Sequence, residues 1–239
     1  ILTSQHAFIA YKICAQAARV VTNEAPMTDE LKFDLPALSR LITAETRLVF
    51  IANPNNPTGT YVNAVELENF LEEHKDNNQI LFVLDEAYNE FVRADDYPNS
   101  LQLLKKYNNV VVMRTLSKVY GLAGLRVGAL LARPQVIDYV HRVRNPFNVN
   151  VMAQEAAIAA IEDRDYLEAS QKVNWQGLDY FYSELAKLGL RFWPSQANFV
   201  LFDCGQPGAE VYQKLLKRGL IMRPVEGYGF THCLRITVG

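Results

Sequence analysis

Short apolar runs alternate with segments of helical periodicity through the first part of the chain. Four of the runs predict strands, at 48–52, 80–84, 110–113 and 127–132. Four helical patterns predict helices, at 35–42, 64–75, 100–107 and 134–143. The strand runs are continuously apolar, which is typical of strands that helices cover on both faces. This alternation predicts an α/β fold, a three-layer sandwich built around a mostly parallel sheet.

The pattern changes near the segment RNPF at 144–147. Two long helical patterns follow it, at 149–162 and 166–188. The remaining residues contain strand patterns at 191–193, 198–203, 221–223 and 234–238, with a helical pattern at 208–217. We therefore expect a large domain at 1–147, followed at 148–239 by an interdomain helix and a smaller α+β C-terminal domain.

The composition is that of an ordinary globular protein. Lys and Arg number 24 and Asp and Glu 26, so the net charge of −2 gives no reason to expect nucleic acid or a membrane as partner. Three widely spaced cysteines, Cys14, Cys204 and Cys233, form no CxxC motif. This spacing favours reduced thiols in a cytoplasmic protein. Both ends are strand-like, and we expect the sequence to be part of a longer polypeptide.

Polar side chains follow three of the predicted strands. The loop ANPNNPTGT at 52–60 contains two prolines and a glycine, which restrict the directions that the Asn56 amide can take. In the segment LDEAY, Asp85 lies at the end of a strand and Tyr88 one short turn beyond it. Because ligands of α/β sheets bind outside the carboxyl ends of the strands, these side chains are expected to face one ligand.

The third segment, RTLSKVYGLAGLRVG at 114–128, contains the most chemistry. It brings together the amine of Lys118, the hydroxyls of Thr115 and Ser117, and the guanidinium of Arg126. An amine can condense with an aldehyde, while hydroxyls and a guanidinium can bind a phosphate. Pyridoxal phosphate is the common cofactor with both groups. A lysine or an aspartate after a strand is ordinary by itself, so the prediction depends on their joint occurrence.

Five segments carry a resemblance to a known family: NPNNPTG, LDEAY, SKVYGLAGLRVG, ANFVLF and CLRITVG. Over nearly its whole length the chain resembles the class I/II, fold-type-I aminotransferases that depend on pyridoxal phosphate. The segments at 144–150 (RNPFNVN) and 219–229 (GLIMRPVEGYG) resemble the histidinol-phosphate subgroup. The resemblance implies transamination between histidinol phosphate and 2-oxoglutarate in histidine biosynthesis, and a homodimer with shared active sites. It also implies that members extend beyond both ends of this sequence.

The resemblance implies roles for the residues that contact the cofactor. Lys118 would bind it covalently and move the substrate proton, and Asp85 would pair with the pyridine nitrogen. Asn56 and Tyr88 would bond the phenolic oxygen. The phosphate would be bound by Thr115, Ser117 and Arg126. Phe8 lies where the family places an aromatic ring against the pyridine, although ordinary core packing is an equally good interpretation of that residue.

Two arginines are implied for the substrate. Arg235 matches the residue that binds the α-carboxylate in this family, and Arg223 lies twelve residues earlier on a neighbouring strand pattern. Two guanidinium groups suit a phosphate dianion better than one does, and glutamate would use the same pair. Arg223 is also consistent with an ordinary surface arginine. Tyr228 and Asn198 are predicted to line the substrate pocket.

Other interpretations stay open at this stage. An aminotransferase for aromatic or other amino acids, and a threonine-phosphate decarboxylase, would share the same lysine, aspartate and arginines. A non-catalytic, aminotransferase-like sensor domain is a second alternative, and a fragment without activity of its own is a third. The four histidines and the adjacent acidic pairs at 85–86 and 95–96 lack the spacing of metal ligands, so we expect no metal.

Overall fold

Six strands form the larger of two sheets in the computed structural model, which describes residues 1–239. The strands are β1 (Leu2–Ser4), β2 (Asn23–Ala25), β3 (Leu48–Ala52), β4 (Leu81–Asp85), β5 (Val110–Thr115) and β6 (Gly128–Leu131). Their order is β2-β1-β3-β4-β5-β6, and every pair of neighbours is parallel except β5 and β6. The prediction of a mostly parallel sheet is therefore confirmed.

Eight helices accompany the two sheets. They are α1 (Ala10–Ala17), α2 (Leu35–Arg40), α3 (Ala64–Glu73), α4 (Ser100–Lys106), α5 (Pro134–Val143), α6 (Val151–Glu162), α7 (Arg164–Lys187) and α8 (Gly208–Leu216). None of them is long and apolar enough to cross a membrane. The apolar faces of α2 and α3 join the strand residues Val49, Ile51 and Phe82 in the main core. Burial of these continuously apolar strands explains the pattern that predicted them.

Capping side chains fix where several helices begin. The Asp34 carboxylate accepts from the Ala37 amide at 2.8 Å, so α2 begins at Leu35 as predicted. Asn63 and Glu66 form a reciprocal capping box that starts α3. The predicted helices at 35–42, 64–75 and 100–107 each end one or two residues earlier than expected, and the helix at 134–143 has the predicted bounds.

Four shorter strands form the second sheet. They are β7 (Phe192–Trp193), β8 (Phe199–Asp203), β9 (Arg223–Pro224) and β10 (Cys233–Thr237), and they pair antiparallel in the order β7-β8-β10-β9. Leu178 and Leu185 of α7 pack on this sheet together with Val200 and Leu234. The expected smaller α+β unit is thus confirmed, whereas the division of the chain at 147/148 stays a prediction.

Some elements differ from the prediction. The strand expected at 221–223 is shorter and shifted toward the C-terminus. Only Arg223 and Pro224 pair with β10 and form β9, while Ile221 is exposed. β6 lies at the edge of the sheet and is largely exposed, not buried as its apolar run indicated. No sequence pattern predicted α1 or β2, since both are short and only a few of their side chains are buried.

The loop after β3 is fastened to the second sheet by its backbone. The Gly59 carbonyl accepts from the Gln196 amide at 2.8 Å, and Gly59 has a φ of +74°. A Cβ at this position would overlap Ser195 Oγ and lie 2.6 Å from Ser195 Cβ. Only glycine permits both the left-handed backbone and this close approach.

We expect Gly59→Ala to lower the free energy of unfolding by about 3 kcal/mol, since roughly 1 kcal/mol of backbone strain adds to overpacking of ~1–3 kcal/mol. Gly189→Ala is the matched control, because Gly189 has a φ of +68° and open space around its Cα. It should cost about 1 kcal/mol from the backbone alone. Urea unfolding of both variants measures the difference, and equal losses would show that the contact with Ser195 is unimportant.

Candidate active site

A cavity of about 300 Å³ lies at the carboxyl ends of β3, β4 and β5. The cofactor residues expected from the sequence all line it: Phe8, Asn56, Asp85, Tyr88, Thr115, Ser117, Lys118 and Arg126. They meet because parallel pairing sets Ala52 beside Asp85 and Asp85 beside Met113. A larger cavity of about 500 Å³ between α2 and α3 contains none of them.

Asp85 is the buried acid of the cavity. Its Oδ2 accepts from the Tyr11 hydroxyl at 2.5 Å and its Oδ1 from the Ala87 amide at 3.2 Å. Burial raises the pKa of Asp85, while the Tyr11 hydrogen bond, the Ala87 amide and the Lys118 charge lower that pKa. These three neighbours favour an ionised carboxylate in an environment that otherwise disfavours one.

Lys118 is the amine of the cavity. Its Nζ lies 5.2 Å from the centre of the Tyr88 ring. Partial burial lowers the pKa of Lys118, and the positive charges of Arg235 and Arg126 lower it further, whereas Asp85 raises it. A lowered pKa increases the fraction of neutral amine, and the neutral amine is the form that attacks an aldehyde.

Hydroxyl and guanidinium donors line the part of the cavity that the segment after β5 forms. Thr115 Oγ1 accepts from the Ser117 amide at 3.1 Å, which shapes the start of this segment. Arg126 has a left-handed backbone, with a φ of 57°. Its Nη1 donates to the Ala123 carbonyl at 2.8 Å, and its other nitrogens have no protein partner. Free donors beside two hydroxyls are suited to an anion such as a phosphate.

Phe8 does not belong to the core. Its side chain lines the cavity and the residue is 38% exposed. Its ring lies perpendicular to that of Tyr11, with centroids 5.8 Å apart and an interplanar angle of 89°. The core-packing interpretation of Phe8 is therefore wrong, because a core residue would be covered by protein on all sides.

Arg235 connects the second sheet to the cavity. Its Nη1 donates to Asn56 Oδ1 at 2.5 Å, and its guanidinium lies 4.5 Å from the centre of the Phe199 ring. Its Nε is buried and has no hydrogen-bond partner. Burial lowers the pKa of Arg235, and the charge of Arg223 lowers it further. The Nε therefore lacks the partner that a buried polar group normally has.

None of the four predicted substrate residues lines the cavity itself, and Arg235 reaches it only through Asn56. Arg223 is exposed and pairs with Arg235 across β9 and β10, so the two arginines are neighbours. Tyr228 ends a 3₁₀ turn, and its carbonyl accepts from the His6 ring. Asn198 directly precedes β8, where its carbonyl accepts from the Val238 amide at 2.9 Å. The roles of these residues in substrate binding stay predictions.

Two features of the site were not predicted from the sequence. Tyr11 lies one helical turn after Phe8, and that spacing was the only signal for it. Glu86 is 2% exposed and accepts from Arg114, whose Nε and Nη2 lie 2.9 and 2.8 Å away. This ion pair joins the ends of β4 and β5, where Arg114 also lines the cavity.

Known proteins resemble this chain over its whole length. It is 49% identical to the histidinol-phosphate aminotransferase of Bdellovibrio bacteriovorus over 243 residues, and 48% identical to that of an Anaeromyxobacter species over 240 residues. Both alignments include 100% of this chain but 65% of the relative, so the chain spans about two thirds of the relatives' length.

Solved structures show the same fold. The Sinorhizobium meliloti histidinol-phosphate aminotransferase, determined in complex with pyridoxal-5′-phosphate, matches 100% of this chain and 65% of its own, with a TM-score of 0.90 and 30% identity. An L-threonine-O-3-phosphate decarboxylase from Porphyromonas gingivalis matches 100% of this chain and 71% of its own, with a TM-score of 0.85 and 23% identity, which supports the fold alone. The family model for aminotransferase class I and II matches residues 1–239. The chain therefore belongs to the class I and II aminotransferase family.

Proposed function

We propose that this chain forms the catalytic part of a histidinol-phosphate aminotransferase that uses pyridoxal phosphate. It would exchange the amino group between histidinol phosphate and 2-oxoglutarate, and in the reverse direction between glutamate and imidazole acetol phosphate, in histidine biosynthesis. The observation that carries the proposal is the single cavity in which Lys118, Asp85 and Arg126 meet. The relatives at 49% and 48% identity support this choice of substrate.

The donor set of the cavity fits the chemistry of pyridoxal phosphate. Thr115, Ser117 and the free nitrogens of Arg126 suit its phosphate. Asn56 and Tyr88 suit the phenolic oxygen, and the Nδ2 of Asn56 is free because Arg235 engages only its Oδ1. The aldehyde would be bound by Lys118, the ring nitrogen by Asp85 and the ring face by Phe8.

When bound, the cofactor supplies a carbon that carries the amino group and a conjugated ring that accepts an electron pair. The protein contributes charge and proton transfer. The carboxylate of Asp85 would hold a proton on the ring nitrogen. Lys118 Nζ would take up the proton released at the substrate Cα and return it, which requires an amine with a pKa nearer to neutrality.

The two arginines supply the proposed substrate site. Histidinol phosphate carries a phosphate ester where an amino acid carries its α-carboxylate. Arg235 has a buried Nε without a partner, and Arg223 adds a second positive charge from the adjacent strand. A dianion would bind both groups, while the carboxylate of glutamate would bind the same pair less strongly.

We also propose that the protein is a homodimer and that it is cytoplasmic. The chain would divide into a large domain at 1–147 and a part with the smaller domain at 148–239. Apolar side chains near α5 and α6 support an association surface, since Val143 is 81% and Phe147 97% exposed. The three free cysteines support a reducing compartment.

Covalent labelling tests the role of Lys118. We expect that borohydride reduction of the natural polypeptide with pyridoxal phosphate adds the phosphopyridoxyl mass to the peptide containing Lys118. Lys118→Arg should lose this label and transamination, because the guanidinium does not condense with the aldehyde. Peptide mass spectrometry locates the label and a steady-state assay measures transamination; a principal label on any other lysine contradicts the assignment.

Substrate choice is tested by steady-state kinetics with histidinol phosphate, glutamate and phenylalanine. Arg223→Ala should lower kcat/KM for histidinol phosphate roughly 10- to 100-fold, since a charge-assisted hydrogen bond contributes about 1.5–3 kcal/mol, and should affect glutamate less. Arg218→Ala, at another exposed arginine, is the control. Faster turnover of phenylalanine than of histidinol phosphate would overturn the proposed substrate, and so would decarboxylation of an amino acid in place of transamination.

The pH dependence of Lys118 acylation tests whether the charge of Arg235 lowers the pKa of Lys118. Arg235→Met removes a cation that lowers the pKa of Lys118, so that pKa should rise and acylation of Lys118 should begin at higher pH. Peptide mass spectrometry of competitive acylation across a pH series gives the midpoint. Arg223→Met, on the adjacent strand, should move the midpoint less, and an unchanged midpoint in Arg235→Met contradicts the account.

A further inference from the structure

Tyr11 contacts two residues that line the cavity, Asp85 and Phe8. It lies in the first turn of α1 and is 6% exposed. Its hydroxyl donates to Asp85 Oδ2 at 2.5 Å. Its ring stacks on Phe50 of β3, with centroids 4.6 Å apart, and makes a perpendicular contact with the Phe8 ring. Tyr11 is therefore held in place by packing that does not involve its hydroxyl.

The hydroxyl of Tyr11 acts as a donor over the physiological pH range. Burial and the negative charge of Asp85 raise the pKa of Tyr11 well above 10, so its proton remains on the phenol. Among the groups that lower the pKa of Asp85, the Tyr11 hydrogen bond is the strongest, ahead of the Ala87 amide and the Lys118 charge. Without that bond, the pKa of Asp85 would rise further, because burial disfavours the charged carboxylate.

The Asp85 carboxylate must also be held in one orientation if it is to meet a donor in the cavity. Asp85 Oδ1 is bonded to the Ala87 amide at 3.2 Å, and Oδ2 is bonded to Tyr11 at the shorter distance of 2.5 Å. Two donors on different oxygens stop the carboxylate from rotating about its terminal torsion. Each oxygen retains a lone pair for a further donor in the cavity.

We propose that Tyr11 is a positioning residue, which keeps Asp85 ionised and oriented for a protonated aromatic nitrogen in the cavity. This inference deepens the proposed function and rests on it for the identity of the ligand. The part that concerns Asp85 stands on contacts within the chain itself. Tyr11 touches no reacting atom and acts through Asp85 and, by the perpendicular contact of the two rings, through Phe8.

The test removes only the hydroxyl, by Tyr11→Phe. Tyr107→Phe is the matched control, because Tyr107 is 2% exposed and its hydroxyl also donates to a carboxylate, that of Glu72 at 3.0 Å, away from the cavity. Carboxyl carbon NMR of the ¹³C-labelled natural polypeptide without cofactor gives the titration midpoint of Asp85. Equilibrium titration with pyridoxal phosphate at several pH values gives its Kd.

In Tyr11→Phe, we expect the Asp85 midpoint to rise and the affinity for pyridoxal phosphate to fall roughly tenfold, most of all at low pH. Tyr107→Phe should change neither quantity. 3-Fluorotyrosine at position 11 keeps the ring and strengthens the donor, so it should lower the Asp85 midpoint even if Tyr11→Phe folds poorly. In an Asp85→Asn background, removing the Tyr11 hydroxyl should cost little further affinity.

An unchanged Asp85 midpoint in Tyr11→Phe and in the fluorotyrosine protein would overturn the inference. An equal loss of affinity with and without the Asp85 carboxylate would also overturn it, since Tyr11 would then act only through packing. If the parent protein fails to bind pyridoxal phosphate while the Asp85 midpoint still moves, the proposed function fails and the action of Tyr11 on Asp85 stands.

Discussion

The buried carboxylate of Asp85 is the constraint around which the site is organised. A carboxylate that is 9% exposed is costly unless donors and positive charge surround it. Three parts of the chain meet this requirement: α1 supplies Tyr11, the turn after β4 supplies the Ala87 amide, and the segment after β5 supplies Lys118. Parallel pairing on both sides of β4 fixes the position of the acid. Helix α1, the turn after β4 and the segment after β5 therefore all converge on the Asp85 carboxylate.

The second sheet completes the site through few but specific contacts. Arg235 reaches Asn56, and the Gln196 amide bonds to the Gly59 carbonyl of the same loop. One loop therefore borders the proposed cofactor site and contacts the element that carries the proposed substrate arginines. Asn56 is the link between the two, because its Oδ1 accepts from Arg235 while its Nδ2 is left for the cavity.

The sequence predicted those parts of the molecule that repeat a simple pattern. Continuous apolar runs predicted the central strands within two residues, and the residues predicted to contact the cofactor all line one cavity. The antiparallel pairing of β6 and the exposure of its apolar run depend on position in the sheet, which periodicity does not contain. Tyr11 was missed for a related reason. Its importance comes from Asp85, 74 residues away, and α1 is too short for its pattern to predict a helix.

Nitrogen NMR of ¹⁵N-labelled pyridoxal phosphate bound to the natural polypeptide tests the central claim most directly. The account predicts that the ring nitrogen is protonated at neutral pH, because an ionised Asp85 faces it. It also predicts that Asp85→Asn shifts this resonance to that of the neutral ring while the cofactor stays bound to Lys118. A neutral ring nitrogen in the unmodified protein, or one that remains protonated after Asp85→Asn, would contradict it.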